Sequence, residues 1–122
     1  MNKTIKSFGY AGQGIRSVFQ SELNMKIHLM VGILVIICGF IFNISLIEWM
    51  LCLLCFGLVI GMEMMNTAIE KLVDLVSPNH HPVAGKVKDI AAGAVLICAI
   101  ISVIIGLIIF LPKVWILVMT II

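Results

Sequence analysis

Apolar residues dominate this chain in three long stretches, at about residues 27–45, 49–70 and 90–111. At ~1.5 Å of rise per residue, a helix of each length crosses the ~30 Å hydrocarbon layer of a bilayer. Residues 4–25 follow a different pattern. Ile5, Phe8, Gly12, Ile15, Phe19 and Leu23 recur at three-four spacing, with Lys6, Gln13, Ser17, Gln20 and Asn24 opposite. That periodicity predicts an amphipathic helix, too polar to span and basic through Lys3, Lys6 and Arg16, lying along a membrane surface. Gly9, Gly12 and Gly14 weaken it by about 1 kcal/mol each relative to Ala. They predict either a close backbone approach to a ligand or a break between two shorter helices.

The second apolar stretch changes character near its end. Glu63, Asn66, Glu70 and Asp74 are three, four and four residues apart. At ~100° per residue they share one helix face, within roughly 80°. Three carboxylates in a line repel one another unless cations, protons or cationic side chains sit among them. The lipid-grade run before Glu63 sets this seam where the helix leaves the membrane, and an ionisable residue there is a functional site by default.

Turn and packing signals complete the outline. Asn43 and Ser45 close the first stretch, and Glu48-Trp49 marks the opposite interface, where Trp is favoured. Ser77 to Pro82 reads as a loop, with the preceding helix ending near Val76. Pro112-Lys113 ends the third stretch, which leaves 114–122 as an apolar tail at the interface or against another subunit. Gly57-x-x-x-Gly61, and Ala92, Ala99, Ser102 and Gly106, are expected to be helix-packing surfaces.

Composition agrees with an integral membrane protein. Of 122 residues, 62% are hydrophobic and 11% charged, far from the balance of a soluble domain. The first apolar stretch starts too late for a signal peptide. The chain reads as one domain over 1–122, all-α, with a surface helix and three transmembrane helices. The net charge of +2 is too small to suggest nucleic-acid binding. The positions of the cations carry more information. Lys3, Lys6, Arg16 and Lys26 precede the first stretch, and Lys71, Lys86 and Lys88 fall between the second and third, while the first loop has none. The positive-inside rule then turns the N-terminus and the acidic seam toward the cytoplasm. Cys52-Leu-Leu-Cys55 lacks a second pair or a nearby His, so the cysteines read as apolar packing rather than a metal site.

Glu22, the seam, Asn79-His80-His81 and Lys88-Asp89 all fall at that boundary. Carboxylates there suit Mg²⁺, a hard ion usually shared with phosphate oxygens, and lysines neutralise phosphate charge. Glu63, the deepest carboxylate, suits a general base acting on a lipid hydroxyl. Together they point to phosphoryl transfer onto a lipid alcohol. The competing reading is a small oligomeric transporter or channel with Glu63 as a proton or cation site. Singly, Glu70, Asp74 and Lys88-Asp89 also fit a solvated helix end or a cap.

Glu63-x-x-Asn66-Thr67-Ala68-Ile69-Glu70-x-x-x-Asp74, followed by Lys88-Asp89-x-Ala91-Ala92-Gly93-Ala94-Val95-Leu96, resembles the signature of the small prokaryotic diacylglycerol kinases. The likeness runs from residue 3 to about 112. Glu22-x-Asn24-Met25-Lys26-Ile27-His28 and Ser45-Leu46-Ile47-Glu48-Trp49 are similar to the Gram-positive branch of that family, whose members act on undecaprenol. The resemblance implies a homotrimeric membrane lipid kinase of the plasma membrane, using ATP with Mg²⁺. It implies Glu63 as the base, Glu22 and Glu70 as ligands of the ATP-bound metal, and Tyr10, His81, Lys88 and Asp89 as nucleotide contacts. Asn66 and Asp74 would support the site, and Ala92 would border the lipid. Lys3 stands where relatives can have Arg, without the bidentate grip of a guanidinium. Asn79-His80 replaces an acidic-aromatic pair seen in some relatives.

Overall fold

The computed structural model describes residues 2–122 and consists of four helices: α1 Lys3–Ser21, α2 Leu23–Ile41, α3 Leu46–Val76 and α4 Pro82–Ile121. Three of them, α2, α3 and α4, are long and apolar enough to cross a membrane. The chain is an all-α, multi-pass membrane protein.

α1 runs unbroken through Gly9, Gly12 and Gly14, and nothing approaches any of the three glycines. The expected break does not occur there. The break falls at Glu22 instead, where the backbone turns extended (φ −103°, ψ 119°) between α1 and α2. The surface helix therefore stops at Ser21 rather than about residue 25, and Leu23 and Asn24 already belong to α2. Ile5, Phe8 and Ile15 on its apolar side stay exposed, with no protein covering them.

α2 ends by a local device. Asn43 takes a left-handed conformation (φ 52°), which Asn tolerates better than most residues, and the Ile44 N–H donates back to the Gly39 carbonyl at 3.1 Å. Ile44 is buried. Ser45 then caps α3 in a reciprocal box: its hydroxyl accepts from the Glu48 N–H, and the Glu48 carboxylate accepts from the Ser45 N–H.

The helices then pack as two antiparallel pairs. Between α2 and α3, a methyl group on Gly32 would meet the Phe56 ring at 2.5 Å, and one on Gly39 the Trp49 ring at 2.4 Å. These are the glycines that admit close packing inside the chain. Gly57 and Gly61 instead face open space. α3 and α4 form the most extensive contact, through Ala91, Val95 and Ile109, all buried. Of the small-residue stripe, Ala99, Ser102 and Gly106 are half-buried, whereas Ala92 is exposed.

Pro112 does not end α4. The helix continues through it to Ile121, so residues 114–121 are helical rather than a separate tail. Proline removes one backbone hydrogen bond, but leaving several groups unpaired in an apolar layer costs more. Lys113, the next residue, donates from Nζ to the Ile109 carbonyl at 2.9 Å and to Glu48 Oε2 at 2.7 Å. At its other end α4 begins at Pro82 with His81 as cap, so Lys86, Lys88 and Asp89 lie within the helix rather than ahead of it.

Candidate functional site

The polar seam of α3 is where the fold departs from its apolar pattern. Glu63, Asn66 and Thr67 are the buried polar residues of the described chain, at 3%, 8% and 2% exposure. Measured along α3 from Glu48, Glu63 stands about 22 Å away. With Glu48 at one boundary of a ~30 Å layer, Glu63 lies roughly 8 Å inside the other.

Glu63 is held from two sides. Thr67 donates its hydroxyl to the Glu63 carbonyl at 3.0 Å, one turn back along the helix. Across the α2–α3 contact, His28 Nε2 stands 3.7 Å from Glu63 Oε2. Antiparallel packing sets this pair in step with Gly32 against Phe56 and Gly39 against Trp49. No lysine or arginine comes within ion-pair distance of Glu63 among the described residues.

One turn on, Asn66 donates from Nδ2 to Glu70 Oε1 at 3.3 Å. Its own Oδ1 is buried and has no partner. A buried acceptor left unpaired costs on the order of 1–3 kcal/mol, so its retention marks a position that an incoming donor or cation can satisfy. Two turns beyond, the exposed Asp74 pairs with Lys88 of α4. The seam thus grades from a buried carboxylate at Glu63 to a solvated ion pair at Asp74.

The other expected site residues lie around this axis. Glu22 is half-buried at the α1–α2 joint, and its side chain makes no capping hydrogen bond, so its carboxylate stays uncommitted. His81 is exposed and caps α4, its Nδ1 accepting from the Val83 N–H at 3.1 Å. Asp89 and Ala92 are exposed on α4. Tyr10 and Lys3 are exposed on α1, apart from the seam's hydrogen bonds. Within one chain, among the described residues, no three His, Cys, Asp or Glu side chains gather as a metal cage.

Two features escape the sequence pattern. His28 reads as the polar start of a span, yet it is the partner of Glu63. Thr67, inside the signature, fixes the backbone on which Glu63 sits. The signal for the first is its position near the membrane boundary of α2, at the same end as Glu63 once the helices run antiparallel.

The family model described as prokaryotic diacylglycerol kinase matches residues 9–110. The chain is 49% identical over 113 residues to the undecaprenol kinase of Bacillus subtilis, covering 93% of this chain and 92% of that one. It is 39% identical over 107 residues to a diacylglycerol kinase of Synechocystis, covering 87% of this chain and 61% of the relative. It is 29% identical over 102 residues to the diacylglycerol kinase of Escherichia coli K12, covering 84% of each.

Proposed function

The chain belongs to the prokaryotic diacylglycerol kinase family, and from that premise we propose that it moves the γ-phosphoryl group of ATP onto the hydroxyl of a membrane lipid alcohol, undecaprenol first and diacylglycerol second. The order rests on 49% identity to the undecaprenol kinase against 39% and 29% to the Synechocystis and Escherichia coli diacylglycerol kinases. The observation that carries the reaction is a buried carboxylate a turn or two inside the apolar layer, one turn from an unpartnered buried acceptor. A lipid hydroxyl reaches Glu63 from the membrane; a nucleotide reaches Glu70, Asp74 and Lys88 from water.

Glu63 accepts the proton of the lipid hydroxyl as its oxygen bonds to the γ-phosphorus. The bond from that phosphorus to the bridging oxygen breaks, and ADP leaves with the electron pair. Thr67 keeps the Glu63 backbone in place for this. Lys88, now on Asp74, supplies a point charge for phosphate, and Tyr10, His81 and Asp89 contact the nucleotide. Ala92 borders the lipid, and Lys3 lies on the surface helix near the headgroups.

The donors here fit Mg²⁺: they are all oxygens, and the orphaned Asn66 Oδ1 and the uncommitted Glu22 carboxylate await a partner. Glu22 and Glu70 would hold the ion, with few protein ligands because ATP and water complete the set. Bound there, it would neutralise phosphate charge. The site opens to the cytoplasm, following the lysines near Lys3–Lys26 and Lys71–Lys88. A homotrimer brings residues of a neighbouring chain to the seam, with the open Gly57 and Gly61 face available for packing.

The test is direct. Detergent-solubilised protein with Mg²⁺ and radiolabelled ATP transfers label to undecaprenol, and more slowly to diacylglycerol. Label in neither lipid, from folded protein that binds ATP, rejects the proposal. A faster rate on diacylglycerol reverses the substrate order.

A further inference from the structure

We propose that His28 is the group through which the proton taken up by Glu63 leaves the site. This rests on Glu63 being the base. Each turnover puts a proton on a carboxylate whose side chain is only 4% exposed, and the next turnover needs that proton gone. The other polar contacts near Glu63 do not serve. Thr67 donates to its main-chain oxygen rather than to its carboxylate, and Asn66 is committed to Glu70. His28, in contrast, faces Glu63 Oε2 at 3.7 Å and is itself 22% exposed.

His28 also sits at the right height. It lies in the second turn of α2, just after Lys26 and the Glu22 joint, where the chain leaves the surface helix and enters the membrane. Imidazole is the side chain that gains and loses a proton near neutral pH without help. The separation exceeds an ordinary hydrogen bond, and a small ring rotation or one intervening water closes it. The step balances without a co-reactant. The proton released from the lipid hydroxyl passes from the Glu63 carboxyl to His28 Nε2, and imidazolium gives its proton to water. Both side chains return to their starting state. His28 therefore acts through Glu63, as a positioning and relay residue, and touches neither lipid nor nucleotide.

The experiment compares three variants of the full chain in mixed micelles with Mg²⁺, ATP and undecaprenol. His28→Ala is expected to lower kcat by about 10²-fold, as loss of one proton-transfer partner does. KM for ATP and for lipid stay within about twofold of wild type, because no binding contact is removed. Added imidazole restores kcat in His28→Ala and leaves wild type unchanged. His28→Gln keeps a polar side chain of similar reach but cannot carry the proton, so its kcat stays low. Wild-type kcat in His28→Gln, or no response of His28→Ala to imidazole, overturns the relay. Glu63→Gln separates the two levels: full turnover there removes the base reading itself, whereas an inactive Glu63→Gln beside a fully active His28→Gln removes only the relay.

Discussion

The two ends of α3 make a contrast that explains how the molecule divides its labour. At the Glu48 end the charged groups find partners within the chain. Ser45 and Glu48 cap each other, and Lys113 reaches across from α4 to Glu48 while satisfying a carbonyl beside Pro112. Phe40 packs against Trp49 in a tilted arrangement with ring centroids 5.1 Å apart, and Gly39 admits that indole. At the Glu63 end polar groups are left incomplete. Asn66 Oδ1 has no partner, the His28–Glu63 pair is loose, and Glu22 caps nothing. A closed set of hydrogen bonds holds helices together. An open set at the same membrane boundary keeps capacity for a ligand, and substitutions should separate the two.

The largest effect is expected at Glu63. Glu63→Gln should lower phosphoryl transfer by at least about 10²-fold while ATP binding persists. Labelled-lipid turnover beside nucleotide titration checks this, and unimpaired turnover would refute the base. Next comes Lys88→Met, which removes a point charge and frees Asp74. KM for ATP should rise by about tenfold or more, the value of a hydrogen bond to a charged group, with kcat changed less. An unchanged KM would leave Lys88 as no more than the partner of Asp74.

Substitutions at the closed end should act the other way. Gly39→Ala forces the Trp49 ring aside, costing about 1–3 kcal/mol as overpacking does, visible as a lower thermal midpoint in detergent. Transfer per folded molecule should hold. Glu48→Gln should produce the smallest change, a modest fall in the same midpoint with transfer unaffected. Adding Lys113→Met should then cost only the further loss of its bond to the Ile109 carbonyl, because the contact with Glu48 is counted once for the pair. A loss of catalysis at either position would erase the division between the ends.

Much of this protein is written in local pattern. The three apolar runs, the amphipathic start and the seam from Glu63 to Asp74 follow from residue spacing, because helical periodicity is a property of neighbours in sequence. The turn at Asn43 to Ser45 is equally local. Distant residues decided the rest. Which glycines matter depends on what lies opposite: Gly32 and Gly39 meet aromatic rings, while Gly57 and Gly61 meet none. Pro112 reads as a stop, yet α4 carries on, because an apolar layer penalises loose backbone groups. Glu22, set by pattern inside a helix, became the joint between two. The pairing of His28 with Glu63, thirty-five residues apart, exists only once α2 and α3 lie antiparallel. Sequence alone determined where along the helix the carboxylates would fall, at the end of an apolar run. Tertiary packing determined which were satisfied and which left open, since burial and hydrogen-bond partners belong to the assembled helices rather than to any one of them.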